Sequence, residues 1–97
     1  MYAVIFTAEV INIDKEYFET AKRMRDLAIN KYGCVKFIST TEGNSEISIS
    51  YWNNKEQIKS WKDNEEHKQA QEKGKTKWYK SYSVEITEIL HKYSNSY

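Results

Sequence analysis

The sequence contains no proline, one cysteine and three glycines. A lone cysteine can form neither a disulfide within the chain nor a thiolate metal cluster, so both are excluded. A chain without disulfides fits a reducing compartment, and we expect a cytoplasmic protein. Because no proline-rich or low-complexity segment separates one part from another, residues 1–97 are predicted to form a single domain.

Neither sign of charge predominates. The chain has 15 lysine and arginine residues against 14 aspartate and glutamate residues, a net charge of +1. That balance gives no general attraction to nucleic acid or to an anionic membrane. The first apolar run ends at Glu9 and is too short to span a bilayer. We therefore expect neither a nucleic-acid partner nor a membrane partner.

The first third of the sequence predicts a strand followed by a helix. Residues 2–11 are rich in β-prone side chains and are apolar on both alternating faces, which is typical of a central strand covered on both sides. Asp14 is placed to cap a helix that runs to about Tyr32 and ends near Gly33. The apolar positions of this helix form one stripe: Tyr17, Ala21, Met24 and Ala28.

The rest of the chain predicts two strands, an interrupted helix and a last strand. The strands cover residues 34–41 and 46–52, and in the second of them Ile47, Ile49 and Tyr51 alternate with Ser48, Ser50 and Trp52. Asn53 or Asn54 caps the helix, Asn64 restarts it, and Gly74 is expected to end it. The last strand covers residues 78–89, and residues 91–97 are expected to form a polar, frayed tail.

This order predicts an α+β fold of the ferredoxin-like βαββαβ type. Two right-handed crossovers place both helices on one face of a four-stranded antiparallel sheet. The other face carries no helix, although the first strand is apolar on both sides. A second copy packed sheet to sheet is the simplest cover, so we expect a homodimer formed through the open sheet face.

A constellation of aromatic and polar residues lies between residues 50 and 82. It begins with Ser50-Tyr51-Trp52, continues with Ile58 and Trp61, and ends with the pattern N-x-E-H-x-x-A-Q-x-x-G-x-x-x-W-Y-x-x-Y at residues 64–82. With these motifs, the whole chain resembles the antibiotic biosynthesis monooxygenase-like (ABM) domain family of the dimeric α+β barrel superfamily. The resemblance implies a ferredoxin-like subunit that pairs into a dimeric barrel, with a pocket between the sheet and the helices.

The resemblance also implies oxidative chemistry. Relatives of this kind oxidise aromatic polyketides or quinols without metal or flavin, and others bind and degrade haem. The sequence is therefore predicted to encode a small cofactor-independent monooxygenase that acts on an aromatic or quinol-like molecule. A dimeric binding or stress-related module without chemistry of its own is the alternative.

His67 is the candidate catalytic residue, because an imidazole can exchange a proton near neutral pH. Its alternative role is structural, as a histidine that orients its helix. Aromatic rings and polar side chains of the constellation are the candidate substrate contacts. They are Trp61, Trp78, Tyr51, Gln71, Trp52 and Tyr82.

No cofactor is expected. Haem is the alternative, and it is disfavoured. Haem-degrading relatives carry their ligating histidine one helical turn after the position of His67, where this chain has Gln71. They also carry an asparagine in the first strand, where this chain has Thr7 or its neighbours. If haem binds, His67 is the predicted ligand.

Overall fold

A computed structural model describes residues 1–96. Its elements are β1 (Tyr2–Val10), α1 (Lys15–Asn30), β2 (Lys36–Glu42), β3 (Ser45–Trp52), α2 (Lys55–Lys62), α3 (Glu65–Lys73) and β4 (Tyr79–Glu88). All pairings are antiparallel and the strand order is β2-β3-β1-β4. The predicted four-stranded, ferredoxin-like sheet is therefore confirmed, with the second helix divided into α2 and α3.

Side-chain oxygens cap the N-terminus of each of the three helices, as the sequence predicts. Asp14 accepts a hydrogen bond from the backbone N–H of Tyr17 at 2.8 Å, and Asn54 accepts one from Gln57 at 2.9 Å. Asn64 caps α3 by accepting hydrogen bonds from the backbone N–H groups of Glu66 and His67. These caps satisfy donors that have no partner inside the helix, and so fix where each helix begins.

The helices cover one face of the sheet with a core in two parts. One part joins Val4 of β1 to Trp52 of β3 and to residues of α1 and α2, namely Leu27, Ala28, Ile58 and Trp61. The other joins Ala8, Val10, Tyr17 and Trp78 at the opposite end of β1. The space between the two parts is only partly filled.

Strand β3 turns its polar row toward the helices and its apolar row away from them. The register pairs Ser48 with Phe6 and Glu46 with Ala8, which places both polar residues on the helix-covered face. The helix-free face of β3 carries Ile47, which is 43% exposed, and Ile49. Apolar residues normally face the covered side of a two-layer domain, so this strand reverses the usual pattern.

The chain does not stop its helix at Gly74. A single π-helical turn at Gly74–Trp78 continues α3 into β4. A Cβ atom on Gly74 would lie 2.4 Å from Cε2 of Tyr79, so only glycine lets that ring pack against the turn. Gly33, by contrast, has the positive φ of 83° expected after a helix end, three residues beyond the last residue of α1.

The segment after β4 has no regular secondary structure through residue 96, and Tyr97 of the predicted tail lies outside the described residues. The backbone N–H of Ile89 still donates to the carbonyl of Met1 at 2.9 Å. Across residues 1–96, no helix combines the length and apolarity needed to cross a membrane.

Candidate functional site

A cavity of about 320 Å³ lies between the helix-covered face of the sheet and helices α1 and α3. Its volume falls at the lower end of the range for small-molecule sites. Eight aromatic residues contribute to its walls: Phe6, Tyr17, Phe18, Phe37, Trp61, Trp78, Tyr79 and Tyr82. Part of the floor is polar, because the inward row of β3 and its neighbours on β2 contribute Ser39, Thr41, Glu46 and Ser48.

Trp61 and His67 form one end of the cavity. Their ring centroids are 4.3 Å apart, and the indole N–H of Trp61 donates to the carbonyl of Met24 on α1 at 3.1 Å. This hydrogen bond holds the Trp61 ring of α2 against α1. The Asn64 cap in turn fixes the first turn of α3, which carries His67.

Burial holds His67 neutral near pH 7. Removal from water is the main cause that lowers the pKa of its imidazole to about 4; the charge of Lys62 acts in the same direction and the Lys62 backbone in the opposite one. The Nδ1 atom is buried and has no hydrogen-bond partner among residues 1–96. A neutral imidazole can accept a proton or a hydrogen bond, depending on its tautomer.

Glu46 forms the opposite end of the cavity. Its side chain is buried, and the hydroxyl groups of Thr41 and Ser48 both donate to its carboxylate. Tyr17 and Tyr79 lie close by, with their rings edge to face and the ring centroids 6.2 Å apart. Burial, with the charge of Glu46, raises the pKa of Tyr79 to about 12 and raises that of Tyr17 as well. Both phenols are therefore neutral.

Trp78 closes the cavity beside this acidic end. Its ring is 2% exposed and meets the Tyr17 ring edge to face at 5.4 Å. The indole N–H is buried, and no group among residues 1–96 gives it a hydrogen bond of normal geometry, although it lies near enough to the Asp14 carboxylate to contribute to that group's lowered pKa. The Tyr17 backbone N–H, a stronger influence, also lowers the pKa of Asp14.

Five of the seven residues predicted as site residues line this one cavity. They are His67, Trp61, Trp78, Gln71 and Tyr82. Tyr51 and Trp52 do not line it. Tyr51 belongs to the helix-free face of β3, and Trp52 is fully buried in the core, where its N–H donates to Ser50 at 2.9 Å. Neighbouring residues of a strand point to opposite faces, so Tyr51 and Trp52 could not both have lined one cavity.

Glu46 is a cavity residue that the sequence did not predict, and Tyr17, predicted only as part of the core stripe, lines the cavity as well. The available signal was the alternation of β3, because Glu46 precedes Ser48 and Ser50 at the same spacing of two. If the isoleucines of β3 are assumed to face the helices, the row of Glu46, Ser48 and Ser50 is predicted to face solvent. Ala21 and Met24 of the predicted stripe also line the cavity, and there Ala21 is exposed and Met24 only half-buried.

No family profile matches the sequence. The uncharacterized protein YqjZ of Bacillus subtilis is 38% identical to this chain over 89 residues, which cover 91% of this chain and 78% of YqjZ. Identity at that level over most of both chains shows common family membership.

Solved structures share the fold at low sequence identity. SnoaB, a cofactor-independent oxygenase from Streptomyces nogalater, superposes with a TM-score of 0.78 at 11% identity over 94% of each chain. A Nitrosomonas europaea protein named as a candidate antibiotic biosynthesis monooxygenase superposes with a TM-score of 0.76 at 14% identity, over 94% of this chain and all of its own. The chain belongs to one family with YqjZ, and its fold is that of the antibiotic biosynthesis monooxygenase (ABM) domains.

Proposed function

We propose that this protein is a cofactor-independent monooxygenase that oxidises a small aromatic or quinol-like molecule. The observation that carries the proposal is the aromatic cavity, which holds His67 against Trp61 on the face of the sheet below α1 and α3. The fold shared with SnoaB, an oxygenase that needs no cofactor, supports the same reaction class. Fold alone does not determine function, so the proposal depends on the site.

The aromatic walls suit a flat ligand. Trp61 and Tyr82 lie on different elements of the cavity wall and can present ring faces or edges to an aromatic molecule. Gln71 lies four residues after His67, on the same face of α3, and adds an amide that can both donate and accept hydrogen bonds. Together these side chains would orient the ligand without forming a covalent bond to it.

His67 would act on the reacting hydroxyl. As a neutral imidazole it can accept a hydrogen bond from the hydroxyl and take its proton as the electron-rich ring reacts with dioxygen. For a quinol, one oxygen atom enters the ring as a hydroxyl group and the other leaves as water. The substrate supplies all four electrons and is released as a hydroxyquinone, so no external reductant is required.

The test is oxygen incorporation from ¹⁸O₂ into 1,4-dihydroxynaphthalene, followed by mass spectrometry of the product. The expected product is 2-hydroxy-1,4-naphthoquinone with one ¹⁸O atom, formed faster than in a protein-free control. His67→Gln should reduce the rate at least tenfold, and His91→Gln should not, because His91 is exposed in the segment after β4. A rate equal to the protein-free rate would refute monooxygenase activity on this substrate class and favour a binding module.

We also propose that the working unit is a homodimer joined through the helix-free sheet face, within the cytoplasm. Four isoleucines form a patch on this face: Ile5, Ile38, Ile47 and Ile49. Ile38 and Ile47 are each more than 40% exposed in the single chain. A contiguous apolar patch on a sheet face is typical of a surface that another protein covers.

A further inference from the structure

Glu46 is a buried carboxylate inside an otherwise aromatic cavity. It is 8% exposed, and no other acidic side chain among residues 1–96 lines the cavity. The register places it between Thr41 of β2 and Ala8 of β1 on the helix-covered face. The residue paired directly with Glu46 on β1, Ala8, has only a methyl side chain.

The described part of the chain leaves this carboxylate only partly satisfied. Thr41 donates to Oε2 and Ser48 donates to Oε1 at 3.3 Å, whereas an ionised carboxylate can accept about four hydrogen bonds. None of the ion pairs within residues 1–96 includes Glu46. A buried charge without a cation partner is costly unless further donors reach it.

The opposite end of the cavity carries the other sign of charge. Lys22, Arg25 and Lys62 line the cavity; Lys22 is paired with Asp26, and the charge of Lys62 acts on the imidazole of His67. Helix α1 runs along the cavity from Tyr17 at the Glu46 end to Arg25 at the His67 end. Eight residues at 1.5 Å each separate these positions by about 12 Å.

This separation of charge between the two ends of the cavity limits which ligand group can donate a hydrogen bond to Glu46. The cationic residues at the far end would repel an organic cation, and would favour a ligand that carries an anionic or carbonyl oxygen there. The group beside Glu46 then has to be a neutral donor. In an aromatic molecule of this length, a ring hydroxyl is the donor that suits a carboxylate acceptor.

We propose that Glu46 accepts a hydrogen bond from a ring hydroxyl of the ligand, at the end of the cavity remote from His67, and so selects aromatic molecules with oxygen groups at both ends. The inference rests on the proposed function for the aromatic nature of the ligand. It does not require turnover, because the hydroxyl is recognised by binding alone.

The test measures binding of three redox-stable naphthalenes by isothermal titration calorimetry. The probes are 6-hydroxy-2-naphthoic acid, 6-methoxy-2-naphthoic acid and 2-naphthoic acid. The wild-type protein should bind the hydroxyl compound at least tenfold more tightly than the other two, since a hydrogen bond to a charged acceptor discriminates by about that factor or more. The methoxy compound keeps the oxygen but cannot donate, so it isolates the donor.

Glu46→Gln should reduce the preference for the hydroxyl compound to about threefold or less. The matched control is Glu42→Gln, which makes the same change at an exposed position on the end of β2. This control should keep the full preference. Circular dichroism and thermal melting establish that both variants are folded.

Three results would overturn the inference. They are equal wild-type affinity for the hydroxyl and methoxy compounds, full retention of the preference in Glu46→Gln, and no binding of any probe at millimolar concentration. The wild-type comparison decides the question even if Glu46→Gln fails to fold. Hydroxyl selection without ¹⁸O incorporation would support this inference while refuting the proposed reaction.

Discussion

The imidazole of His67 lies 4.3 Å from the indole of Trp61, centroid to centroid, and is buried enough to lose most of its basicity. Unfolding would expose the ring and restore its ordinary pKa of 6.5, against about 4 in the folded protein. Between these values the unfolded chain binds more protons than the folded one. The neutral, buried His67 should therefore make its full contribution to the free energy of unfolding above pH 6.5, and that contribution should be lost as the pH falls toward 4.

The size of this effect can be measured by urea denaturation at pH 7 and pH 4.5. A buried imidazole with this shift should account for about 2 kcal/mol of the decrease. His67→Gln should show a decrease smaller by that amount, while His91→Gln should follow the wild type. If wild type and His67→Gln lose the same stability between the two pH values, the imidazole is not buried as described.

Substitution of Gly74 by a residue with a side chain should destabilise the protein, because the ring of Tyr79 packs against Gly74. The Cβ atom of an alanine would meet the Tyr79 ring at 2.4 Å, and the ring would have to move. We expect Gly74→Ala to destabilise the protein by about 1–3 kcal/mol in chemical denaturation, the usual range for an overpacked site.

A double-mutant cycle tests the stated cause of that loss. Tyr79→Leu removes the ring, so Gly74→Ala should cost much less in the Tyr79→Leu background than in the wild type. Equal costs in the two backgrounds would show that the π-helical turn, and not the ring contact, requires glycine.

The isoleucine patch should determine the oligomeric state. Multi-angle light scattering at micromolar concentration should give twice the chain mass for the wild type and the single-chain mass for Ile47→Lys, because a buried lysine has no partner at a sheet-to-sheet interface. Ile29→Lys is the matched control, since Ile29 is 45% exposed but lies on α1. A monomeric wild type would contradict the proposed interface.

Helix α3 should be the least protected part of the cavity wall. None of its residues is fully buried, and ion pairs join it to α1: Arg23 with Glu66, and Lys73 with Glu16. Exposed ion pairs contribute little and are weakened by salt. Glu66→Gln should speed hydrogen exchange in residues 65–73 by about twofold to fivefold, as judged by mass spectrometry.

The control for that measurement is Glu19→Gln, which removes an exposed pair with Lys15 that stays within α1. Exchange in residues 65–73 should not change in this variant. Should Glu66→Gln leave exchange in α3 unaltered even at low salt, the ion pairs to α1 would have no part in holding that helix.

The fold was largely predictable because its signals are local. Asp14, Asn54 and Asn64 each precede a helix and each caps it, and the period of two identified the strands. The π-helical turn was not predictable from composition. Glycine usually ends a helix, but Gly74 serves here to admit the Tyr79 ring, a contact that only the folded chain reveals.

The site was predictable in part. His67, Trp61 and Gln71 lie close together in sequence on α2 and α3, so their motif marked them. Glu46 comes from a strand far from that motif, and alternation alone does not show which row of a strand faces the helices. The usual rule assigns the apolar row to the helix side, and β3 reverses it.

The inward polar row of β3 makes the cavity a weak point in the stability of the fold. The cavity is lined by a buried carboxylate and by an imidazole nitrogen that has no partner among residues 1–96, where a tighter core would have packed apolar side chains. Any molecule that satisfies these groups must raise the melting temperature, by an amount set by its concentration and affinity. A library of hydroxylated aromatic compounds can therefore be screened by thermal shift, and the compounds that raise the melting temperature most are those that bind the cavity best.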